Sequence, residues 1–471
     1  MLYVQPRTDL CCFHSLPMLP LPEEFCRAMR EQLGDDDAER LFAALDTEPS
    51  TAIRYNPFKH RGEYRGEAVA WSRYGRHLAE RPLFTTDVAF VTGEYYVQEA
   101  ASQFVGYLLR GERCEGATVL DMCAAPGGKT TLYAALVGRE GLVVANEYVR
   151  QRANILADNI RKWGIGNVVV TNNAPSHFEP FASLFDIVAV DAPCSGEGMF
   201  RKEAAAREMW STQNVEMCSH RQLQILTSAW QSLREGGTLL YSTCTFNRTE
   251  NEALVARFLE EVGDEVEPFD EVVVPDEWGI VRSTVGPFQL FRFYPHRTRT
   301  EGFCVAVARR KVTGKSRMRL PKPHHRGFND VSHAVAEELR RWVLNPDEHA
   351  FGELGDTFYC YRRRHGDIVK AAATNLAVLY AATAMGEIFK GRLKPDWALS
   401  QYIDLNRDAV PQGEVTADEA LDYLRRADIA PDAFEEGINL VCSAGRALGF
   451  IKRVGRRCNN LYPQSLRIIN V

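Results

Sequence analysis

No two cysteines in this 471-residue chain stand in a CxxC spacing, so a zinc ribbon has nothing to build on and no metal site is expected. The twelve cysteines are scattered along a long chain. Disulfide frameworks belong to short secreted ones, and a reducing cytoplasm is the simplest home. No apolar run approaches the roughly 18 residues that a membrane-spanning helix needs. The first twenty residues lack a basic stretch followed by a clean apolar one, so a signal peptide is not expected. Positive charge is not in excess either. Lys and Arg number 56 against 62 Asp and Glu, a net −6, which argues against a nonspecific nucleic-acid coat but leaves room for a local basic face. There is no internal repeat and no low-complexity tract. What is present is a globular composition, 45% hydrophobic, and a length that at roughly 150 residues per domain allows about three domains.

The first 17 residues read as an upstream start or a loose tail ahead of Met18. Residues 22–46 read as helical around a charged loop at 34–38, and Thr51–Phe58 as extended. Between 117 and 243 the texture becomes that of an α/β sheet. Short apolar runs at 117–121, 142–145, 168–171, 186–191 and 238–241 alternate with amphipathic segments, as parallel strands buried on both faces do. The segment 215–235 carries Leu223, Leu226, Trp230 and Leu233 on one stripe, with Gly236-Gly237 as its C-cap. Runs at 288–294 and 303–308 read as further strands. From Arg297 to Arg326 there are ten Lys or Arg and one acid, Glu301, which reads as a basic linker. Beyond it, 331–345, 367–390 and 417–426 read as helical, and 438–441, 448–451 and 466–469 as β-like. These shifts divide the chain at 90, 310, 330 and 400.

Four constellations carry chemistry. Asp121-Met-Cys-Ala-Ala-Pro-Gly-Gly-Lys-Thr-Thr131 follows a strand and opens a helix, where small residues let backbone N–H groups approach a ligand. It is not a phosphate loop, because that motif needs glycine where Cys123 stands, and it lacks the GxGxxG of a dinucleotide fold. The next strand ends in Asn146-Glu147, an acid placed to accept hydrogen bonds from a ribose. Asp191-Ala-Pro-Cys-Ser-Gly-Glu-Gly198 and Tyr241-Ser-Thr-Cys-Thr245 close two further strands. They set Cys194 and Cys244 on neighbouring strand ends, beside the crevice where open α/β sheets bind ligands. A lone cysteine is usually a small buried hydrophobe. Two at corresponding strand ends, among polar and glycine neighbours, are not.

The set DxCAAPGGKT, DAPCSGEG and YSTCT, followed by Glu250-Asn251-Glu252, resembles the RNA (cytosine-5) methyltransferases of the Nop/Sun family over about residues 90–310. The amino-terminal helical region and the tail with Gly449-Phe-Ile-Lys452, Asn459-Asn460 and Tyr462-Pro463 resemble its RsmF-type branch. That branch acts on small-subunit ribosomal RNA and ends in a PUA-like RNA-binding module. The resemblance implies an α/β, class I (Rossmann-like) methyltransferase domain at 91–310, with a seven-stranded sheet of order 3-2-1-4-5-7-6 whose last strand is antiparallel. It implies an RNA-binding region at 1–90, a basic linker at 311–330, a first C-terminal domain at 331–400 and an α+β PUA-like module at 401–471. S-Adenosyl-L-methionine would sit over Cys123, Ala124, Ala125, Pro126, Gly127, Gly128 and Lys129, with Glu147 on its ribose and Arg152 and Asp191 nearby. The family's usual Asp after the third strand is missing from Thr171-Asn-Asn-Ala-Pro175, which leaves Asn173 to face the adenine.

The reaction so implied needs a nucleophile, because carbon 5 of cytosine is too weak to take a methyl group unaided. A thiolate adding to carbon 6 makes carbon 5 enamine-like. By analogy with the family Cys244 is that thiolate, Asp191 holds and polarises the base, Cys194 assists release, and Lys129 helps keep the thiolate ionised. The residue pattern alone does not order the two cysteines. The cytosine must be unpaired or flipped. Phosphate contacts fall to the 297–326 stretch, to Arg201-Lys202, and to Arg446, Lys452, Arg453, Arg456, Arg457 and Arg467 in the acid-free segment 444–471. The expected partner is ribosomal RNA, free or in the assembled 30S subunit, with the protein a cytoplasmic monomer. Transfer RNA is the rival substrate. A noncatalytic RNA-binding assembly factor is the rival of another class, and it would need a broken nucleophile or cofactor turn.

Overall fold

The computed structural model describes residues 19–111, 114–322 and 327–469. The tail ahead of Met18 and the end of the basic stretch, 323–326, lie outside them. Near the amino terminus, α1 (Glu23–Leu33) and α2 (Asp35–Leu45) are separated by Gly34 alone. The expected charged loop is therefore the first turn of α2, where Asp35, Asp36 and Asp37 face the positive end of the helix dipole. The pair buries Phe25, Met29 and Leu41 against Phe200, Trp210 and Phe246 of the following domain.

The large sheet is built from β1 (Thr118–Asp121), β2 (Leu142–Asn146), β3 (Val168–Thr171), β4 (Phe185–Asp191), β5 (Leu233–Thr243), β6 (Phe288–Phe293) and β7 (Phe303–Arg310). Its order is β3-β2-β1-β4-β5-β7-β6, the expected 3-2-1-4-5-7-6. The pairs among β1 to β5 are parallel, and β7 runs antiparallel to β5. A strand at Val281–Val285 extends the β6 edge as a hairpin. The order reverses between β1 and β4, which opens a crevice at their carboxyl ends.

Three expectations need correction. The helix there spans Thr212–Trp230, capped by Ser211, and stops short of the glycine pair. Gly236-Gly237 lies instead within β5, where the register against β4 shifts between Phe185 and Ile187 and Gly236 adopts φ +71°. The pair forms a strand bulge, a role that also wants glycine. Only the first part of 367–390 is helical, over Gly366–Asn375. The apolar run after it forms β8 (Val378–Ala381) and a strand at Thr383–Phe389. An open edge explains the switch, since β8 pairs antiparallel with β3 and covers what would otherwise be exposed ladder groups. Leu466–Ile469 is not a strand; a short 3₁₀ turn at Gln464–Leu466 leads into irregular chain.

Much of the basic chemistry is consumed internally. Arg297 pairs with Asp37, Arg299 with Glu67, Arg309 with Asp270 and Arg310 with Glu265. Arg201 grips Glu301 and the carbonyl of Thr300, and Arg446 grips Glu94. Lys452, Arg456, Arg457 and Arg467 are exposed. No helix among the described residues is long and apolar enough to cross a membrane.

Arg207 ties the amino-terminal helices to the sheet domain. Its buried guanidinium donates to the carbonyls of Leu19, Leu45 and Phe200 and pairs with Asp46. Arg207→Ala strands buried carbonyl groups at a cost of about 2–3 kcal/mol. The loss should appear first as faster amide hydrogen exchange across residues 23–45. Unchanged exchange there would separate Arg207 from this docking.

Candidate active site

The turn after β1 is held open from behind. Gly127 takes φ +113°, and a Cβ there would meet Leu156 at 3.1 Å, so glycine is required. α3 (Gly128–Val137) starts immediately after it. The carbonyls of the turn are gripped by surrounding side chains. Arg152 donates to Ala125 at 2.8 Å, Asn159 and the Tyr96 hydroxyl to Pro126 at 2.9 and 3.1 Å, and Arg54 to Gly128 at 3.3 Å. The N–H of Ala124 donates to Asn146 at 2.8 Å. The turn is thus rigid before any ligand arrives.

Buried at its base, Asp121 accepts from the Thr130 hydroxyl at 2.6 Å through one oxygen. Its other oxygen, Oδ1, is buried with no partner among the described residues. Burial, with Asp191 and Glu147 adding to it, pushes this carboxyl up to about 7. Burial first, then Glu147, Asp121 and Asp191, lifts the Cys123 thiol well above its ordinary value.

Glu147 is buried just past β2. One oxygen accepts from the N–H of Val149 at 2.9 Å, and the other lies 3.5 Å from Arg152. Asn146 staples the neighbouring strand ends, donating to the carbonyls of Met122 and Asn173 and accepting from Thr171. Asn173 is turned away from solvent. Its amide oxygen accepts from the N–H of Ala377 at 3.1 Å, so the side chain anchors the chain entering β8. Tyr148, 70% exposed beside Glu147, is an aromatic surface that the sequence reading passed over.

The remaining expected residues converge at the ends of β4 and β5. Lys129 Nζ sits 2.8 Å from Asp191 Oδ2 and 4.9 Å from the centre of the Phe303 ring. The Ser242 hydroxyl donates to Asp191 Oδ1 at 2.7 Å. Burial alone would lower the Lys129 ammonium; Asp191, then Asp121 and Cys244, hold it above its ordinary value. The sulfurs of Cys194 and Cys244, both free thiols, lie 3.1 Å apart. The hydrogen bond to Cys244 and burial raise Cys194 well above the usual thiol range.

Two fully buried carboxylates fix the loops that carry these thiols, and the sequence reading gave neither a role. Glu250 accepts from the N–H and hydroxyl of Ser195, from Gln222 at 2.7 Å and from Asn247 at 2.7 Å. Glu197 accepts from the N–H groups of Phe246 and Asn247 at 2.6 and 2.9 Å and from Trp210 at 3.0 Å. Each reaches from one cysteine loop into the other. Burial, with Glu250 adding to it, pushes Glu197 up to about 7. Glu252 pairs with Arg292. The signal was present in SGEG and ENE, but acids in a loop ordinarily mean a solvated surface, and only the packing shows otherwise.

Sheet order, glycine-rich turn and acid-tipped second strand define a class I methyltransferase, whose methyl donor is S-adenosylmethionine. The unpartnered buried oxygen of Asp121 and the buried Glu147 fit such a ligand, offering acceptors to its ammonium and hydroxyl groups. Residues 109–309 match the family model for the 16S rRNA methyltransferase RsmB/F, 21–100 that for the N-terminal domain of 16S rRNA methyltransferase RsmF, and 411–468 that for the methyltransferase RsmF PUA domain. The chain is 30% identical to ribosomal RNA small subunit methyltransferase F of Erwinia tasmaniensis, over 94% of this chain and 96% of that protein. It is 31% identical to the protein of that name from Escherichia coli O9:H4, over 82% and 80%. Among solved structures, a methyltransferase homolog from Pyrococcus horikoshii is 26% identical with a TM-score of 0.52, covering 62% of this chain and 95% of that one. NSun6 from Pyrococcus horikoshii shares the fold at 20% identity and a TM-score of 0.52, over 62% and 99%. The chain belongs to the ribosomal RNA small subunit methyltransferase F family.

Asp121 makes stability fall as pH rises. Its carboxyl ionises near 3.8 when unfolded and at about 7 when folded, so across that interval the native state holds the extra proton. Asp121→Asn should flatten this slope in thermal melts from about pH 4 to 7. A slope identical to the wild type would mean that the Asp121 carboxyl is not perturbed.

Proposed function

We propose that this protein methylates carbon 5 of a cytosine in 16S ribosomal RNA through a covalent bond between Cys244 and carbon 6. The observation that carries this reading is the placement of two free thiols 3.1 Å apart beside the Lys129–Asp191 pair. The two sulfurs are within hydrogen-bonding distance of each other, and the hydrogen bond and burial hold Cys194 above the ordinary thiol range. Cys244, with the Lys129 ammonium close by, is left as the nucleophile.

Cys244 Sγ adds to carbon 6 and pushes electron density to carbon 5. Asp191, fixed by Lys129 and Ser242, accepts from the cytosine amino group and from a proton on N3, and that proton neutralises the electron density that the thiolate pushes into the ring. S-Adenosylmethionine, held by Cys123 to Lys129 with Glu147 on its ribose, supplies the electrophilic methyl group when bound. A base then takes the carbon-5 proton, the ring double bond re-forms, and the bond from carbon 6 to Cys244 breaks. The Cys194 S–H eases that break by hydrogen bonding to the departing thiolate. The target base is unpaired or flipped, because sulfur and methyl must reach its ring together. Arg152 positions Glu147 and the turn, and Asn173 keeps the adenine side closed by tying the chain at Ala377.

We assign the regions 1–90 and 401–471 to RNA binding around the catalytic domain at 91–310, with 311–330 linking it to a further unit at 331–400. We place the reaction in the cytoplasm, where thiols stay reduced. A noncatalytic assembly factor would have no use for an intact thiol pair and an intact cofactor turn.

The two cysteines should behave differently. Cys244→Ala should abolish methylation and form no covalent RNA complex. Cys194→Ala should still add and transfer the methyl group but stall before release, so an RNA–protein adduct should persist on denaturing electrophoresis. An adduct from Cys244→Ala and none from Cys194→Ala would reverse the roles, and intact methylation in both would sink the covalent mechanism. Bisulfite sequencing of ribosomal and transfer RNA from a deletion strain identifies the substrate.

Removing the Glu147 carboxylate deletes a charge-assisted acceptor for the ribose. Glu147→Ala should weaken S-adenosylmethionine binding by about 1.5–3 kcal/mol. Titration calorimetry checks this, and an unchanged affinity would take Glu147 out of the cofactor site.

A further inference from the structure

A polar cavity of about 140 Å³ opens where the amino-terminal region meets the carboxy-terminal one, and none of the site residues above lines it. Four basic side chains reach it, Lys59, Arg61, Arg407 and Arg446, against one carboxylate, Glu94. Arg446 holds that carboxylate at 2.7 and 3.2 Å, so Glu94 is already neutralised. Arg61 and Arg407 both donate to a single carbonyl, that of Gly445, at 3.4 and 3.1 Å. Neither makes an ion pair with a carboxylate among the described residues, and most of the donors of each guanidinium remain free. Glu414, the next acid along, accepts from the N–H of Gly445 at 3.0 Å.

Lys59 adds to the imbalance. Its ammonium donates to the carbonyls of Thr92 and Lys162 at 2.9 and 2.8 Å, which leaves one N–H. Burial above all, with Lys162 and Arg407 adding to it against Glu94, lowers it to about 7. Basic groups thus outnumber their one counter-charge, Glu94, in a half-enclosed space. An anion there relieves the repulsion, and two guanidinium groups converging on one point suit a tetrahedral oxyanion with paired acceptor oxygens.

We infer that this cavity is a phosphate site, with Arg61 and Arg407 as its principal donors, and that it takes a backbone phosphate of the RNA. The inference rests on the RNA reading above and gives that substrate a second point of attachment. A nucleic-acid strand is favoured over a free anion because further exposed basic residues recur about 20 Å away, toward the far end of the strand that Arg446 opens. Lys452 lies near the end of that strand, Arg446–Val454, Arg456 in the turn after it, and Arg457 at the start of its hairpin partner Arg457–Asn460, all exposed. The donors also come from both flanks of the catalytic domain, so one bound phosphate bridges the two regions.

The test is the salt dependence of binding to a small-subunit ribosomal RNA fragment, for wild type, Arg61→Ala/Arg407→Ala and Arg61→Lys/Arg407→Lys. S-Adenosylmethionine affinity serves as the check that each variant is folded. The alanine pair should bind RNA roughly tenfold more weakly, with the slope of log affinity against log salt shallower by about 0.7, the value for one phosphate of a single strand. The lysine pair should keep the slope. Wild type that fails to bind RNA would overturn the RNA reading itself. Wild type that binds, with the same slope in the alanine pair, would overturn this site as an RNA contact. In that case, millimolar inorganic phosphate raising the melting temperature of wild type but not of the alanine pair would assign the cavity to a free anion, and no rise in either would remove the phosphate site altogether.

Discussion

The ion pair between Lys129 and Asp191 is the contact on which the active site depends. Lys129 belongs to the first turn of the helix that follows the glycine-rich loop, and Asp191 ends the neighbouring strand across the point where strand order reverses. One short contact of 2.8 Å therefore ties the glycine-rich turn to the end of the strand that leads into the Cys194 loop. Neither partner is fully exposed, so water screens the pair little and its geometry persists. With Ser242 on the other oxygen, the Asp191 carboxylate has a fixed direction into the crevice. A fixed positive charge near Cys244 and a fixed carboxylate come from the same interaction.

Around that pair the protein accepts costs that a purely structural core would avoid. Glu197 and Glu250 are buried carboxylates, and each is tolerable only because backbone and side-chain donors surround it. What they achieve is registration. The loop after β4 and the loop after β5 have no ladder between them, yet their cysteines meet at 3.1 Å because each loop lends an acid to the other's N–H groups. Asp121 is a different case, since its unpartnered oxygen leaves burial uncompensated and raises its affinity for a proton.

The flanking regions are built into the catalytic domain and not merely strung along it. β8 closes the β3 edge of the sheet, and Asn173, at the cofactor end of β3, secures the chain leading to it. At the other side Arg207 reaches back to the amino-terminal helices, and Arg201 locks Glu301. Groups that look available for phosphates in a list of basic residues are in part the rivets of this assembly. Arg61 and Arg407 at the cavity and Lys452, Arg456 and Arg457 on the carboxy-terminal hairpin, none of them paired with a carboxylate among the described residues, mark the narrower path proposed for RNA.

The sequence alone was enough for the alternation that dictates a parallel sheet, for the order of its strands through family resemblance, and for the glycine-rich turn, Glu147 and the two cysteines. Those features are local: periodicity, small residues at a turn, and polar residues at strand ends are written in consecutive positions. Tertiary structure decided whatever depends on residues distant in the chain. The run after Asn375 became a strand because β3 offered it an unpaired edge. Gly236-Gly237 became a bulge because β5 had to stay in register with β4. Glu197 and Glu250 acquired roles only when the loops after β4 and β5 came together, and Arg201 and Arg446 lost theirs when Glu301 and Glu94 arrived from far away. A charge in a sequence carries no sign of its partner, so whether it faces solvent, a ligand or an ion pair is settled only by packing.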